Sequence, residues 1–397
     1  MNKTTSILLV TIAVLAGLMS ETAIACTSLI VTSNASADGS VFITYTCDGV
    51  YHPYLEVIPA GDHEPNSFVA PARWAGRIEG KVKQAAHTYA VLGSESGGLL
   101  NDQQVAIGET TFGGREDPHN PDGLLDYQHL MVLALQRART AREAIRVIGE
   151  LLDEYGYRST GESFSIADKK EAWIMELIGP GKGRKGAAWV ALRVPDGYIS
   201  CHANKARIGQ FPTDDPDNCL YSKNVVSVAV EKGYFDPNAG KPFSFRQAYD
   251  PDNSHNRRYA DARVWSLFRR AAPSLNLSAD FARGAPDAKP YPLWVKPDAK
   301  LSTKDVFALM RDHYENTPYD MTQGLDAGPF GNPNRWRDMT WKVDGAEYAW
   351  ERPISTQQTA YSIVAQLRAS LPDPVGGVLW YGLDDTYTTC YTPLYGC

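Results

Sequence analysis

Two short apolar runs open the patterned part of the chain. Thr27 to Val31 is β-branched and apolar, Ser33 to Ser40 carries the turn pair Asp38-Gly39, and Val41 to Thr46 repeats the apolar character. Such runs on either side of a turn predict a β-hairpin. Its open end carries Cys26 on one strand and Cys47-Asp48 on the other. Antiparallel strands joined by a short loop set their outer ends side by side, which brings a carboxylate toward Cys26. The competing reading makes Asp48 only a turn residue before Gly49.

Further along, Pro53 to Ile58, Tyr89 to Leu92 and Gln104 to Gly108 predict short strands, the last running into Glu109-Thr110-Thr111. Gly93 to Gly98 reads as a loop around Glu95 and lacks the Gly-Lys-Ser/Thr ending of a phosphate loop. From Asp126 to Gly156 the period becomes helical, through Leu130, Leu133 and Ala134, then Ala144, Ile145, Ile148, Leu151 and Leu152. Thr140-x-x-Glu143 predicts a capping box, and Gly156 a C-terminal stop. This helical hairpin should cover one face of a sheet, with His129 solvated or packed rather than catalytic.

A meander follows: Glu162 to Ala167, Ala172 to Ile178, Ala188 to Val194 and Gly197 to His202. Asn204 and Arg207 come just after its last strand, where a loop can present polar groups. Residues 211–300 are rich in Pro, Asp and Asn, with a short helix expected at Asp261 to Ala271. Ser302-x-x-Asp305 caps a helix expected to reach about Tyr314. Tyr361 to Leu367, Val378 to Tyr381 and Thr386 to Thr392 alternate like strands.

Strands, helices, strands, loops with helix, strands: this order predicts an α+β chain of two antiparallel sheets with helices outside, not a parallel βαβ series. No repeat or dividing linker is visible. Of the 397 residues, 43% are hydrophobic and 21% charged, which is globular composition. The net charge of −7 and the lack of a Lys/Arg block argue against a nucleic-acid partner. The six cysteines form no C-x-x-C pair, so no zinc site, metal or cofactor is expected. Most of them read as buried free thiols.

Residues 1–25 have the three parts of a secretory signal peptide: Lys3, the apolar run Ile7 to Met19, and the small-residue site Ala23-x-Ala25. The apolar run is short for a membrane span, and no later segment is long enough. The expectation is an exported protein, periplasmic or extracellular, with no integral span after signal removal. A cut after Ala25 leaves Cys26 with a thiol and a free α-amine on one carbon, a nucleophile with its own base attached. The alternative is a lipid-anchored binding protein tethered through Cys26, whose acylated amine and thioether sulfur could do no such chemistry. The leucine usual three residues before a lipidated cysteine is Ala23 here.

Several segments carry a resemblance. Cys26-Thr27-Ser28-Leu29-Ile30-Val31, Ala35-Ser36-Ala37-Asp38-Gly39-Ser40, Gly161-Glu162-Ser163-Phe164-Ser165-Ile166-Ala167-Asp168, Lys170-Glu171-Ala172-Trp173, Trp189-Val190-Ala191-Leu192-Arg193-Val194-Pro195, Ala203-Asn204 and Leu371-Pro372-Asp373-Pro374-Val375-Gly376-Gly377-Val378-Leu379-Trp380 occur in the order seen in the C69 peptidases. The chain resembles that family of N-terminal nucleophile hydrolases over nearly all of residues 26–397. The resemblance implies one domain over 26–397 with the four-layer αββα N-terminal nucleophile hydrolase fold, two antiparallel sheets between helical layers. It implies a cysteine-type dipeptidase acting on small peptides without a cofactor; an amidase acting on acyl amino acids is the alternative within the fold. It points to Cys26 as nucleophile, Asp48 as its acidic partner and Asn204 as oxyanion donor. It sets Arg207 and Glu109, Thr110 and Thr111 near the substrate, and leaves a homo-oligomer open. Two departures stand out. Many members read Ala-Arg-Asn-Glu-Asp where this chain has Thr44-Tyr45-Thr46-Cys47-Asp48, so the aspartate is kept and the arginine position is Tyr45. Members also commonly continue past a motif like Tyr391-Thr392-Pro393-Leu394-Tyr395, which implies a chain lacking a C-terminal portion.

Overall fold

The computed structural model describes residues 25–49, 51–70, 80–253, 256–324, 327–334, 340–349 and 351–396. The expected leader, up to Ile24, lies outside the described residues, as does Cys397.

Two large antiparallel sheets carry the fold. The first contains β1 (Ala25–Val31), β2 (Val41–Asp48), β10 (Ile199–His202), β12 (Trp294–Val295), β13 (Thr359–Leu367), β14 (Gly377–Leu383) and β15 (Thr392–Tyr395), in the order β12-β10-β1-β2-β13-β14-β15. The second contains β3 (Glu56–Ile58), β4 (Val91–Ser94), β5 (Gly97–Asn101), β6 (Ala106–Thr111), β7 (Glu162–Ala167), β8 (Ala172–Ile178), β9 (Ala188–Arg193) and β11 (Cys219–Tyr221), in the order β11-β9-β8-β7-β6-β5-β4-β3. They meet where β1 and β2 lie over β6 and β7. Gly108 marks a close approach between them: a β-carbon there would stand 3.0 Å from the Thr44 carbonyl oxygen and 3.2 Å from Tyr45 Cβ.

Helices close both outer faces. α1 (Tyr127–Leu135) and α2 (Ala141–Tyr155) lie on the second sheet. α3 (Val225–Glu231) packs on β9 and contacts the short α4 (Phe245–Tyr249). α5 (Ala262–Ala271) and α6 (Thr303–Met310) cover the first sheet, on β10 and β13. Both sheets are thus buried on both faces, and their strands read as nearly continuous apolar runs for that reason.

Period-two alternation splits the hairpin between two cores. Cys26, Ile30, Val41, Ile43, Tyr45 and Cys47 enter the large core, while Leu29, Val31 and Phe42 join Val264, Leu267, Phe268, Leu309 and Met310 under α5 and α6. Thr44 follows the second set, with its Oγ1 3.2 Å from Met310 Sδ.

Local signals mark most element ends. The Thr140 hydroxyl accepts from Glu143 N (3.2 Å), and Gly156 ends α2 at φ 76°. Glu143 does not close the reciprocal half of the expected box, because its Oε2 accepts from Arg139 N instead. His129 is buried and caps α1 together with Asp126. Ser302 and Asp305 do form a capping box, but α6 ends at Met310, short of Tyr314. Gly93 to Gly98 belongs largely to the β4–β5 hairpin, with only Glu95 and Ser96 in its turn. The strand expected at Thr386 to Thr392 starts only at Thr392, because the Asp385 carboxylate accepts from the N–H groups of Tyr387 and Thr388 and holds that stretch as a turn. The five described cysteines are unpaired thiols, with Cys390 alone exposed. No described helix is long and apolar enough to cross a membrane.

Candidate active site

Cys26 is fully buried near the start of β1, and its polar atoms are held by different parts of the chain. β1 pairs with β2 in the register Cys26↔Cys47 and Ala25↔Asp48. The Cys26 N–H donates to Asn204 Oδ1 at 2.9 Å, and the Cys26 thiol donates to Glu109 Oε1 at 3.5 Å. The Cys26 carbonyl accepts from Arg263 Nη1 at 2.7 Å. Burial pushes the thiol well above its usual pKa, and the nearby Glu109 carboxyl adds to the rise. The resting sulfur is therefore protonated and needs a base to become a nucleophile.

Asn204 sits at φ 60°, a left-handed conformation that asparagine tolerates better than most residues. The loop around it is fixed on all sides. Lys205 pairs with Asp252 and Asp261, Ala206 N donates to Asp250 (2.8 Å), and Arg207 N and Ile208 N donate to Glu176 (2.6 and 3.0 Å). Asn204 Nδ2 donates to the Thr111 carbonyl at 2.7 Å, which leaves Oδ1 to accept from Cys26 N and Arg263 Nη2. In this geometry the side chain grips the nitrogen of Cys26, and its amide donor is engaged by Thr111.

The structure draws the remaining candidates apart. Asp48 is buried opposite Ala25, and alternation turns its side chain away from the Cys26 thiol. Its carboxylate accepts from Arg352 Nη2 (2.5 Å), Thr359 Oγ1 (2.5 Å) and Thr46 Oγ1 (3.1 Å). Glu109 is at the sulfur, and Thr111 reaches both Asn204 and, through its hydroxyl, Glu162 (3.0 Å). Thr110 instead bonds His202 (2.7 Å). The Arg207 guanidinium is committed to the carbonyls of Cys201, Tyr291, Pro292 and Leu293, so it braces the loop and is not brought to Cys26.

Two arginines enter that sequence reasoning missed. Arg263 is fully buried in α5 and donates to Cys26 O, Thr27 Oγ1 (2.9 Å), Ala203 O (3.1 Å) and Asn204 Oδ1 (2.9 Å). It thereby ties the start of β1 to the end of β10. A signal existed: Arg263 falls on the inward stripe of Ala260, Leu267 and Ala271, where a charge is out of place. Arg352 had none, since it lies in an unpatterned segment more than 300 residues from Asp48. Tyr45 stands where the C69 resemblance has an arginine in many members. It is buried on the thiol side, and its hydroxyl donates to Glu109 Oε1 at 2.6 Å.

The sequence model of peptidase family C69 matches residues 25–397. The chain belongs to peptidase family C69. Among relatives of this C69 peptidase, a probable dipeptidase of Latilactobacillus sakei is 28% identical over 373 residues, covering 90% of this chain and 71% of the relative. A probable dipeptidase of Salmonella dublin is 28% identical over 386 residues, covering 94% and 81%. Dipeptidase A of Lactobacillus helveticus is 22% identical over 388 residues, covering 93% and 75%. The β1–β2 tip carrying Cys26 thus lies at the start of the family match in a peptidase.

Proposed function

We propose that this C69 peptidase is an exported dipeptidase with the N-terminal nucleophile hydrolase fold, using the thiol and freed α-amine of Cys26. The observation that carries the reading is the separate grip on three groups of Cys26: nitrogen on Asn204 Oδ1, sulfur on Glu109 Oε1, carbonyl on Arg263. Ala23-x-Ala25 supplies the cleavage site, and the names of the relatives supply the substrate class. Export takes the protein to the periplasm or the outside.

Cleavage after Ala25 turns the Cys26 amide nitrogen into an amine with a reference pKa of about 8. That amine serves as a base for the thiol, directly or through one water. The sulfur attacks the peptide carbonyl, and the leaving amino group takes up a proton as the thioester forms. Water then releases the acyl group. Main-chain N–H groups and Asn204 Nδ2, once it turns from Thr111 O, hold the oxyanion, each donor contributing on the order of a hundredfold or more. Asp48, across the ladder from Ala25, supplies the carboxylate nearest the new ammonium along the hairpin.

N-terminal sequencing or intact mass of the exported protein, combined with dipeptide hydrolysis, tests this. A mature start at Cys26 and loss of hydrolysis in Cys26→Ala are expected. Another start, or an active Cys26→Ala, overturns the mechanism. Faster turnover of acyl amides than of dipeptides overturns the substrate class.

A further inference from the structure

Behind the Cys26 sulfur lie two buried carboxyl groups that the mechanism above leaves unused. Glu109 and Thr111 on β6 stand opposite Phe164 and Glu162 on β7, which makes Glu109 and Glu162 diagonal neighbours on one face of the sheet. Glu109 Oε1 accepts from the Cys26 thiol and from Tyr45 OH, and Glu162 Oε2 accepts from Thr111 Oγ1. The other two oxygens, Glu109 Oε2 and Glu162 Oε1, are buried and have no donor among the described residues. The two buried carboxyls thus sit side by side, each with one oxygen that no donor reaches, and each raises the energy of the other's charge. Ionised carboxylates only accept, so two such oxygens can satisfy each other only through a proton held between them.

We propose that Glu109 and Glu162 share one proton, and that the pair accepts the Cys26 thiol proton, with Glu109 a catalytic residue at the sulfur and Glu162 its positioning residue. This rests on the reading of Cys26 as nucleophile and adds a second base to the terminal amine. As the bond from Sγ to the substrate carbonyl carbon forms, the S–H bond breaks and its proton goes to Glu109, taking the pair from one proton to two. When the peptide C–N bond breaks, the leaving nitrogen takes that proton and the pair returns to one. In deacylation, water gives a proton to the pair and a hydroxyl to the acyl carbon, and the proton passes to the departing sulfur.

The surroundings suit a singly charged pair. Cys26 faces it from β1 and Tyr45 and Cys47 from β2, while Asp48, on the other face of β2, still acts on it through its charge. Tyr361 faces it from β13, Tyr127 from α1, and Tyr51 and Tyr157 from adjoining loops. All of these are neutral or acidic. The buried guanidiniums of Arg263 and Arg352 are taken up by the Cys26 carbonyl and Asp48, and His202 is held between Thr110 and Ser165. Burial raises both glutamates. Two bare negative charges would have no cation here, whereas one charge is stabilised by the Tyr45 hydroxyl and the thiol. Tyr45 thus serves a glutamate beside the Cys26 sulfur.

The test uses the mature protein and three variants. Glu109→Gln should lower dipeptide kcat/KM by roughly 10²–10⁴-fold. Glu162→Gln replaces the shared proton with a weaker amide donor, and should move the acid limb of the kcat/KM profile to higher pH. An infrared band of a protonated carboxyl at neutral pH should be present in the parent and absent from Glu162→Gln. A loss below roughly tenfold in Glu109→Gln, or superimposable profiles and bands in Glu162→Gln, overturns the pair. If a glutamine variant does not fold, Tyr45→Phe decides: losing the donor to Glu109 moves the acid limb to higher pH, and an unmoved limb overturns the proposal. Activity surviving in Cys26→Ala sinks the nucleophile reading instead, so the two failures are distinguishable.

Discussion

Replacing Asp48 with asparagine separates what this residue does for stability from what it does for chemistry. Asp48 and Arg352 are both fully buried, and the carboxylate accepts from the guanidinium at 2.5 Å. A second buried guanidinium, Arg263, feels the same carboxylate, and Arg352 and Arg263 disfavour each other. Asparagine keeps the shape and removes the charge, leaving two buried cations without it. Removing one partner of a buried ion pair costs about 3–5 kcal/mol. At about 1.4 kcal/mol per decade, the unfolding equilibrium should shift by roughly two to three and a half orders of magnitude. Urea unfolding followed by tryptophan fluorescence reads this directly, since the chain has nine tryptophans. Arg352→Met in the same chain should recover most of the loss, because an apolar replacement of a whole buried pair is often near neutral. Hydrolysis by the double variant should stay low, since the carboxylate opposite Ala25 is still missing. An Asp48→Asn chain within about 1 kcal/mol of the parent, or a double variant no more stable than the single one, would refute the reasoning.

Three further outcomes are expected. Arg263→Lys should lower kcat/KM by at least roughly tenfold, because a point charge cannot reproduce bonds to Cys26 O, Thr27 Oγ1, Ala203 O and Asn204 Oδ1; parent-like kinetics would contradict this. Gly108→Ala should cost about 1–3 kcal/mol by forcing β6 off Thr44 and Tyr45, measured by urea unfolding; an unchanged midpoint would count against the close approach. Burial pushes His202 down to about 3, whereas its unfolded pKa is about 6.5, so the unfolded chain takes up the proton first. Stability from this group is present above pH ~6.5 and is lost as pH falls toward 3, by up to about 1.4 kcal/mol per unit. His202→Gln should flatten that limb of an acid-unfolding curve, and an unaltered curve would rule out His202 as its source.

How much of this was legible beforehand follows from the range of each signal. β7 and β8 begin and end where their apolar runs do, at Glu162–Ala167 and Ala172–Ile178. The caps at Thr140, Gly156 and Ser302 are set within one helical turn. The hairpin came out with the same ends adjacent, because alternation and a turn suffice for a two-stranded ladder. Thr386 to Thr392 failed because alternation there competes with one aspartate side chain, which the pattern does not weigh.

The sequence by itself determined the strand–helix order, the two-sheet class, the hairpin end that carries Cys26, and the small-residue site before it. These rest on propensities and periods acting over a few residues. Only the tertiary structure decided which groups meet at Cys26. Asp48 is one residue out of phase with the thiol and finds Arg352, while Glu109, one layer away, reaches the sulfur. Arg263 binds the Cys26 carbonyl across 237 positions. Such meetings depend on how two sheets and a helix stack, and burial then fixes the charge each group carries; no local pattern encodes either.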